Sequence, residues 1–167
     1  ALAAAWRDLK GVPCVLEALL PLAHEVSVIL ARGADGTVVH FPVQQNLHRA
    51  GILAVTHAPA PDVSDATQAE AVHCAEAIAG SMGYVGVLCV EFFLTTDGRI
   101  LVNEIAPRPH NSGHLTFDAS ITDLFQVQAD MAVRLAGALN LALGVREQEH
   151  LVERPTKSLE AYDAFLK

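Results

Sequence analysis

The chain has 167 residues, about half of them apolar, which fits one domain, or part of one, better than two complete domains. Its net charge of -8, with eight arginines and three lysines scattered and never in a run, argues against nonspecific nucleic-acid binding, so any anionic ligand must be held by a local site. No apolar run reaches the roughly 20 residues that span a bilayer, and the Ala-Leu-Ala-Ala-Ala start lacks the basic residues and longer apolar core of a secretory signal, which makes a cytoplasmic location without membrane contact the expectation.

From Val12 to Leu20 the chain is apolar around a single acid, Glu17, and predicts a short buried strand ended by a turn at Pro21. A hairpin is predicted next, because Val26 to Arg32 and Thr37 to Val43 are β-branched runs flanking Asp35-Gly36. Gln44 to Asp62, with Gly51 and two prolines, reads mostly as loop. Val72, Ala75, Ile78, Ala79 and Met82 recur at helical spacing between Ser64 or Asp65, either able to cap the start, and Gly83, a stop, so a helix is predicted over 64–82. A second hairpin follows, Val85 to Leu94 and Arg99 to Ala106, turned by Thr95-Thr-Asp-Gly98. Two prolines and a glycine then make Pro107 to His114 a loop, and Leu124, Gln128, Met131, Leu135 and Leu139 mark an amphipathic helix over about 121–143 that covers one sheet face. The remainder is a polar tail with a short helix predicted from Ser158 to Leu166. Cys14, Cys74 and Cys89 are widely spaced, odd in number and set in apolar surroundings, which favours buried thiols over disulfides or a zinc knuckle.

If Asp97-Gly98 are the central residues of a tight turn, equal spacing along the two strands places Glu91 opposite Glu104 on one sheet face. Like charges so placed destabilise a sheet unless something compensates, and a hard divalent cation is the natural compensator. Magnesium prefers a few carboxylate oxygens and fills its other positions with water and phosphate. The alternatives are that one glutamate is exposed or paired with an arginine, or that a longer turn changes the register. The same spacing about Asp35-Gly36 pairs Glu25 with Asn46, two residues before His48; these are either part of a site or an ordinary polar strand end. Arg108, His110, Asn111, Ser112 and His114 crowd one loop just after Glu104, a set suited to a small oxyanion such as bicarbonate or phosphate. A turn merely stiffened by proline, or a zinc pair from His110 and His114, are the other readings.

The run Glu91-Phe-Phe-Leu-Thr-Thr-Asp-Gly-Arg-Ile-Leu-Val-Asn-Glu-Ile-Ala-Pro-Arg-Pro-His-Asn-Ser-Gly-His114 resembles the signature of the ATP-grasp carboxyaminoimidazole ribonucleotide synthetases, the ATPase subunits of phosphoribosylaminoimidazole carboxylase. Ala31 to Gly36 and Asn46 to Leu53 resemble the same family, and the likeness covers roughly Gly11 to Thr116. It implies a ligase of purine biosynthesis in which ATP phosphorylates bicarbonate and the resulting carboxyphosphate carboxylates 5-aminoimidazole ribonucleotide. By the same resemblance Glu17, Ala18, Leu19 and Leu20 would touch adenine, Glu25 would bind ribose and His48 would lie by the nucleotide. Asn103 and Glu104 would contact the nucleotide or its metal, Glu91 with Glu104 would bridge magnesium to the phosphates, and Arg108 with His110, Asn111, Ser112 and His114 would face bicarbonate and the imidazole substrate.

Members of the family are much longer, with an N-terminal domain and a glycine-rich flap whose lysines grip the phosphates. Here the lysines are Lys10, Lys157 and Lys167, none in a glycine-rich loop, and beyond Phe117 the resemblance fades. The expectation is therefore a fragment: an α+β C-terminal subdomain of an ATP-grasp fold over 1–144, followed by a tail, inactive without the missing N-terminal half. A noncatalytic metal- or partner-binding module is the alternative. Apolar surface left where absent domains would dock predicts self-association, for example into a homodimer.

Overall fold

The computed structural model describes residues 2–138. Helix α1 (Leu2–Asp8) and an irregular stretch lead into strands β1 (Leu22–Arg32), β2 (Val38–His40), β3 (Gln44–Arg49) and β4 (Ile52–His57). Helix α2 (Asp65–Ser81), strands β5 (Gly86–Thr95) and β6 (Ile100–Ala106), a 3₁₀ turn at Asn111–Gly113, and helices α3 (Thr116–Ala119) and α4 (Leu124–Ala138) complete it. The strands form one sheet in the order β4-β3-β1-β5-β6, with β2 also paired to β1, and every pairing is antiparallel. The class is α+β, as the sequence predicts.

Strands β1 and β5 are central, and β5 and the Val26 to Ala31 part of β1 are almost wholly buried, which is why they read as continuous apolar runs. On one face Val26, Val28, Leu30, Leu88, Val90, Phe92 and Leu94 pack against α2. That helix presents Ala71, Ala75 and Ala79, one turn apart and fully buried, so its backbone lies close to the sheet. Ser64 starts it by accepting the Thr67 N–H on its hydroxyl at 3.2 Å. On the other face Ile29, Ala31, Val87, Cys89 and Ala106 are covered by Leu124, Phe125, Val127 and Met131 of α4. This cover extends over only part of the face; farther along the same strands it carries Glu25, Ser27, Glu91 and Glu104.

Several expectations are corrected. Residues 12–20 are not a buried strand: Val15, Leu16 and Leu19 are exposed, and the first ladder pair of the chain is Leu22 with Thr95. Apolar character alone makes no strand when no neighbour lies alongside to accept its hydrogen bonds. Cys14, in that segment, is exposed, Cys74 is half-buried and only Cys89 is in the core. Gln44 to His57 is a hairpin rather than a loop, turned by Ala50-Gly51 with φ of 52° and 79°. Positive φ at both central residues is what a two-residue type I′ turn requires, and alanine at the first of them hides the signal. Helix α4 begins at Leu124, not 121, because Asp123 caps it by accepting the N–H groups of Phe125 and Gln126, while Ile121 is fully exposed. Residues 139–143 of that predicted helix, and the tail with its predicted helix at 158–166, lie outside the described residues.

Candidate functional site: a carboxylate pair on an open sheet face

Glu91 and Glu104 face one another, as equal spacing about Asp97-Gly98 requires, yet the turn is not the tight one assumed. Thr95 N–H bonds to Arg99 O at 3.0 Å, so the loop has three residues, and near it Leu94 pairs with Ile100 and Phe92 with Val102. One residue, Asn103, then drops out of the ladder and restores the register at Glu91 and Glu104. This bulge has a chemical result. Adjacent residues on a regular strand point to opposite faces, but a bulge re-aims one of them, and here Asn103 reaches Glu91 with its amide nitrogen 3.5 Å from Oε2. The first hairpin repeats the pattern: its loop is also one residue longer than assumed, and a break at Phe41-Pro42-Val43 restores the predicted pairing of Glu25 with Asn46.

His110 closes the cluster. It caps the 3₁₀ turn after β6, with Nδ1 3.7 Å from Glu91 Oε1 and Nε2 4.0 Å from Glu104 Oε1. One ligand atom from each of Glu91, Glu104 and His110 lies within 4.8 Å of the others, a spacing that a single cation can span. Burial, together with the nearby Glu104, holds the Glu91 carboxyl above its ordinary range. Burial also pushes His110 down to about 4, outweighing the pull of Glu104, so at neutral pH its contacts with the two acids are not ion pairs. A neutral ring agrees with the hydrogen bonds: Nδ1 lies 2.9 Å from Ser112 Oγ and accepts the Ser112 N–H at 3.4 Å, which leaves the proton on Nε2, facing Glu104.

Two acids forced together with one half-desolvated and, among the described residues, no cationic side chain between them are a donor set suited to a hard divalent ion, the carboxylates as oxygen ligands and neutral His110 beside them. Glu25 and His48 form a second pair at 3.0 Å on the same face.

The remaining predicted residues are distributed less simply. Glu17, Ala18 and Leu19 are exposed and Leu20 is half-buried, in the irregular segment before β1. Arg108 bonds to Pro109 O at 2.9 Å. Asn111 Oδ1 accepts the Ser112 N–H at 3.1 Å. Ser112 is fully buried between His110 and Cys89, so it reaches the site through His110 rather than facing it. His114 packs against Phe117 and Phe125, ring centroids 5.9 and 6.2 Å away. Sequence reasoning missed Ser27 and Thr56. Ser27 is fully buried and hydrogen-bonds both Glu91 and Asn46, and Thr56 bonds Asn46. The available signal was a lone serine within Val26-Ser-Val-Ile29, two residues from Glu25 and hence on its face.

Residues 1–125 match the family of ATP-grasp domains. The chain is 43% identical over 113 residues to an N5-carboxyaminoimidazole ribonucleotide synthase of Bacillus subtilis, an alignment that takes in 68% of this chain and 30% of the relative. Among solved structures it is similar to the N5-carboxyaminoimidazole synthetase of Staphylococcus aureus complexed with ADP, with TM-score 0.66 and 34% identity over 86% of this chain and 37% of the other. It is also similar to the Aspergillus clavatus N5-carboxyaminoimidazole synthase in complex with ADP and 5-aminoimidazole ribonucleotide, with TM-score 0.69 and 29% identity over 88% and 37%. The chain thus spans 30–37% of the length of these proteins.

Proposed function

The chain belongs to the ATP-grasp family, and from that we propose that it supplies the nucleotide- and magnesium-binding part of a ligase that uses ATP and bicarbonate to carboxylate 5-aminoimidazole ribonucleotide. The observation that carries the proposal is the pairing of Glu91 with Glu104 on the sheet face beside the part that α4 covers, with Asn103 and His110 against them. Magnesium, when bound, neutralises charge on the phosphates and orients them. Glu91 and Glu104 would hold it, and Asn103 would fix the Glu91 carboxylate from the solvent side. Glu25, braced by His48, would receive the ribose hydroxyls, and Glu17 to Leu20 would line the adenine. Arg108 and the loop from His110 to His114 would orient bicarbonate and the imidazole ribonucleotide. No side chain needs to act as nucleophile: ATP phosphorylates bicarbonate with release of ADP, and the substrate's exocyclic amine attacks the carboxyphosphate carbon, forming the N–C bond as the C–O bond to phosphate breaks and phosphate and a proton leave, so the protein contributes positioning and charge stabilisation. An N-terminal ATP-grasp half bearing phosphate-gripping lysines would complete the site.

The nitrogen of His110 beside two carboxylates favours one other reading, a noncatalytic divalent-ion module, since imidazole suits zinc better than magnesium. Replacing the matching segment of the Bacillus subtilis relative with residues 11–125 of this chain separates the two. The ligase reading predicts ATP turnover that requires both bicarbonate and 5-aminoimidazole ribonucleotide and is lost in Glu91→Gln. A folded chimera that binds metal and ATP but shows no dependence on either substrate would contradict it.

A further inference from the structure

Four hydrogen-bonded side chains from four adjacent strands run in a row across the site face. Thr56 of β4 donates its hydroxyl to Asn46 Oδ1 at 3.2 Å. Asn46 of β3 donates its amide nitrogen to Ser27 Oγ, and Ser27 of β1 lies 3.4 Å from Glu91 Oε1 of β5. Asn46 and Ser27 are 5% and 0% exposed. A hydroxyl and an amide so deeply buried need partners, and each is costly to leave without one.

The order of donors in this row follows from the orientation of the Asn46 amide. An amide nitrogen only donates, so Ser27 Oγ accepts from Asn46 and its own hydrogen is left for Glu91; the Thr56 hydroxyl holds the amide oxygen at the opposite end. Turning the Asn46 amide over would make Ser27 donate to Asn46, and Glu91 Oε1 would lose its donor. The row is thus polarised toward the Glu91 carboxylate.

We propose that Ser27 and Asn46 are positioning residues for Glu91, a polar row that fixes one of its oxygens so that the carboxylate is oriented beside Glu104 for a divalent cation. The proposal rests on the metal reading above for its consequence, and on the row itself for its mechanism. Hydrogen-bond partners that orient a ligating group commonly matter to metal affinity by about 10-fold or more when removed.

The test uses the 167-residue chain with Mn²⁺ as probe, free ion being followed by electron paramagnetic resonance, in wild type, Ser27→Ala, Ser27→Thr and Glu91→Gln. Ser27→Ala is expected to weaken Mn²⁺ binding by roughly 10-fold, Ser27→Thr to recover most of it because the hydroxyl is restored, and Glu91→Gln to lose most of it. Without metal, the Asn46 side-chain amide is followed by nitrogen-15 NMR. Its resonances should move when Glu91→Gln is introduced into wild type and stay in place when it is introduced into Ser27→Ala. If wild type binds no Mn²⁺, the metal reading fails while the NMR comparison still decides the row. A folded Ser27→Ala chain that binds Mn²⁺ as wild type does, or Asn46 resonances that respond to Glu91→Gln equally with and without the serine, overturns the proposal.

Discussion

Gly113 ends the 3₁₀ turn that His110 caps and that contains Ser112, and it is pressed against the core. A Cβ there would lie 2.5 Å from Leu124 Cδ2 and 2.7 Å from Ile29 Cδ1. Carbon atoms in contact prefer about 3.5–4.0 Å, so each methyl would have to retreat by roughly 1 Å. Leu124 and Ile29 are 0% and 1% exposed, and the start of α4 is held by Leu124 N–H bonding to Thr116 Oγ1 at 3.1 Å. Gly113→Ala should therefore destabilise by about 1–3 kcal/mol, the range for overpacking a core. Because the loop must shift, Mn²⁺ binding should weaken as well. Gly80→Ala is the control, since a Cβ at that exposed helix position meets nothing within 4 Å; it should stabilise by roughly 0.5–1 kcal/mol. Urea unfolding followed by circular dichroism reads both. A Gly113→Ala midpoint equal to wild type, at an unchanged slope, would refute the packing account of the loop.

Thiol labelling should follow burial: Cys14 reacts at once, Cys74 more slowly, and Cys89, whose thiol burial pushes up to about 12, reacts only after denaturation; rapid labelling of Cys89 in the folded chain would count against the core assignment. The site also sets a pH dependence. His110 holds fewer protons folded than unfolded between about 4 and 6.5, so acidification through that window costs stability. Glu91, raised by burial and by Glu104, holds more protons folded than unfolded from the ordinary carboxylate range upward, and its contribution has the opposite sign. Metal-free His110→Gln should therefore lose less stability than wild type between pH 6.5 and 4 in urea titrations, and metal-free Glu91→Gln should be more stable than wild type at pH 7. Parallel pH profiles for wild type and His110→Gln would contradict the first, and a destabilised Glu91→Gln the second.

The pairing of Glu91 with Glu104 was legible because strand alternation survives errors in turn geometry. Both Asp-Gly turns hold one residue more than a two-residue loop, and in both hairpins an irregularity farther along, at Asn103 or at Phe41-Pro42-Val43, returns the register. Helix α2 was legible because its cap, periodicity and stop coincide. The hairpin at 44–57 was not, because a positive φ at Ala50 is paid for by tertiary pairing that no local propensity reveals. Segment 12–20 misled because apolar composition reports a tendency to be covered and not what does the covering. His110 was visible as a loop residue, but its place between the two glutamates depends on the loop folding back over β5, a long-range fact. Ser27 was readable only as a polar residue in an apolar strand until the register joined it to Glu91.

The central claim, that Glu91 and Glu104 bind magnesium together with a nucleotide, is tested most directly by calorimetric titration of ADP into this chain with and without magnesium, beside a Glu91→Gln, Glu104→Gln double variant. Magnesium-dependent ADP binding by wild type, abolished in a double variant that remains folded, is the predicted result. Equal binding with and without magnesium, or undiminished binding by the double variant, would contradict it.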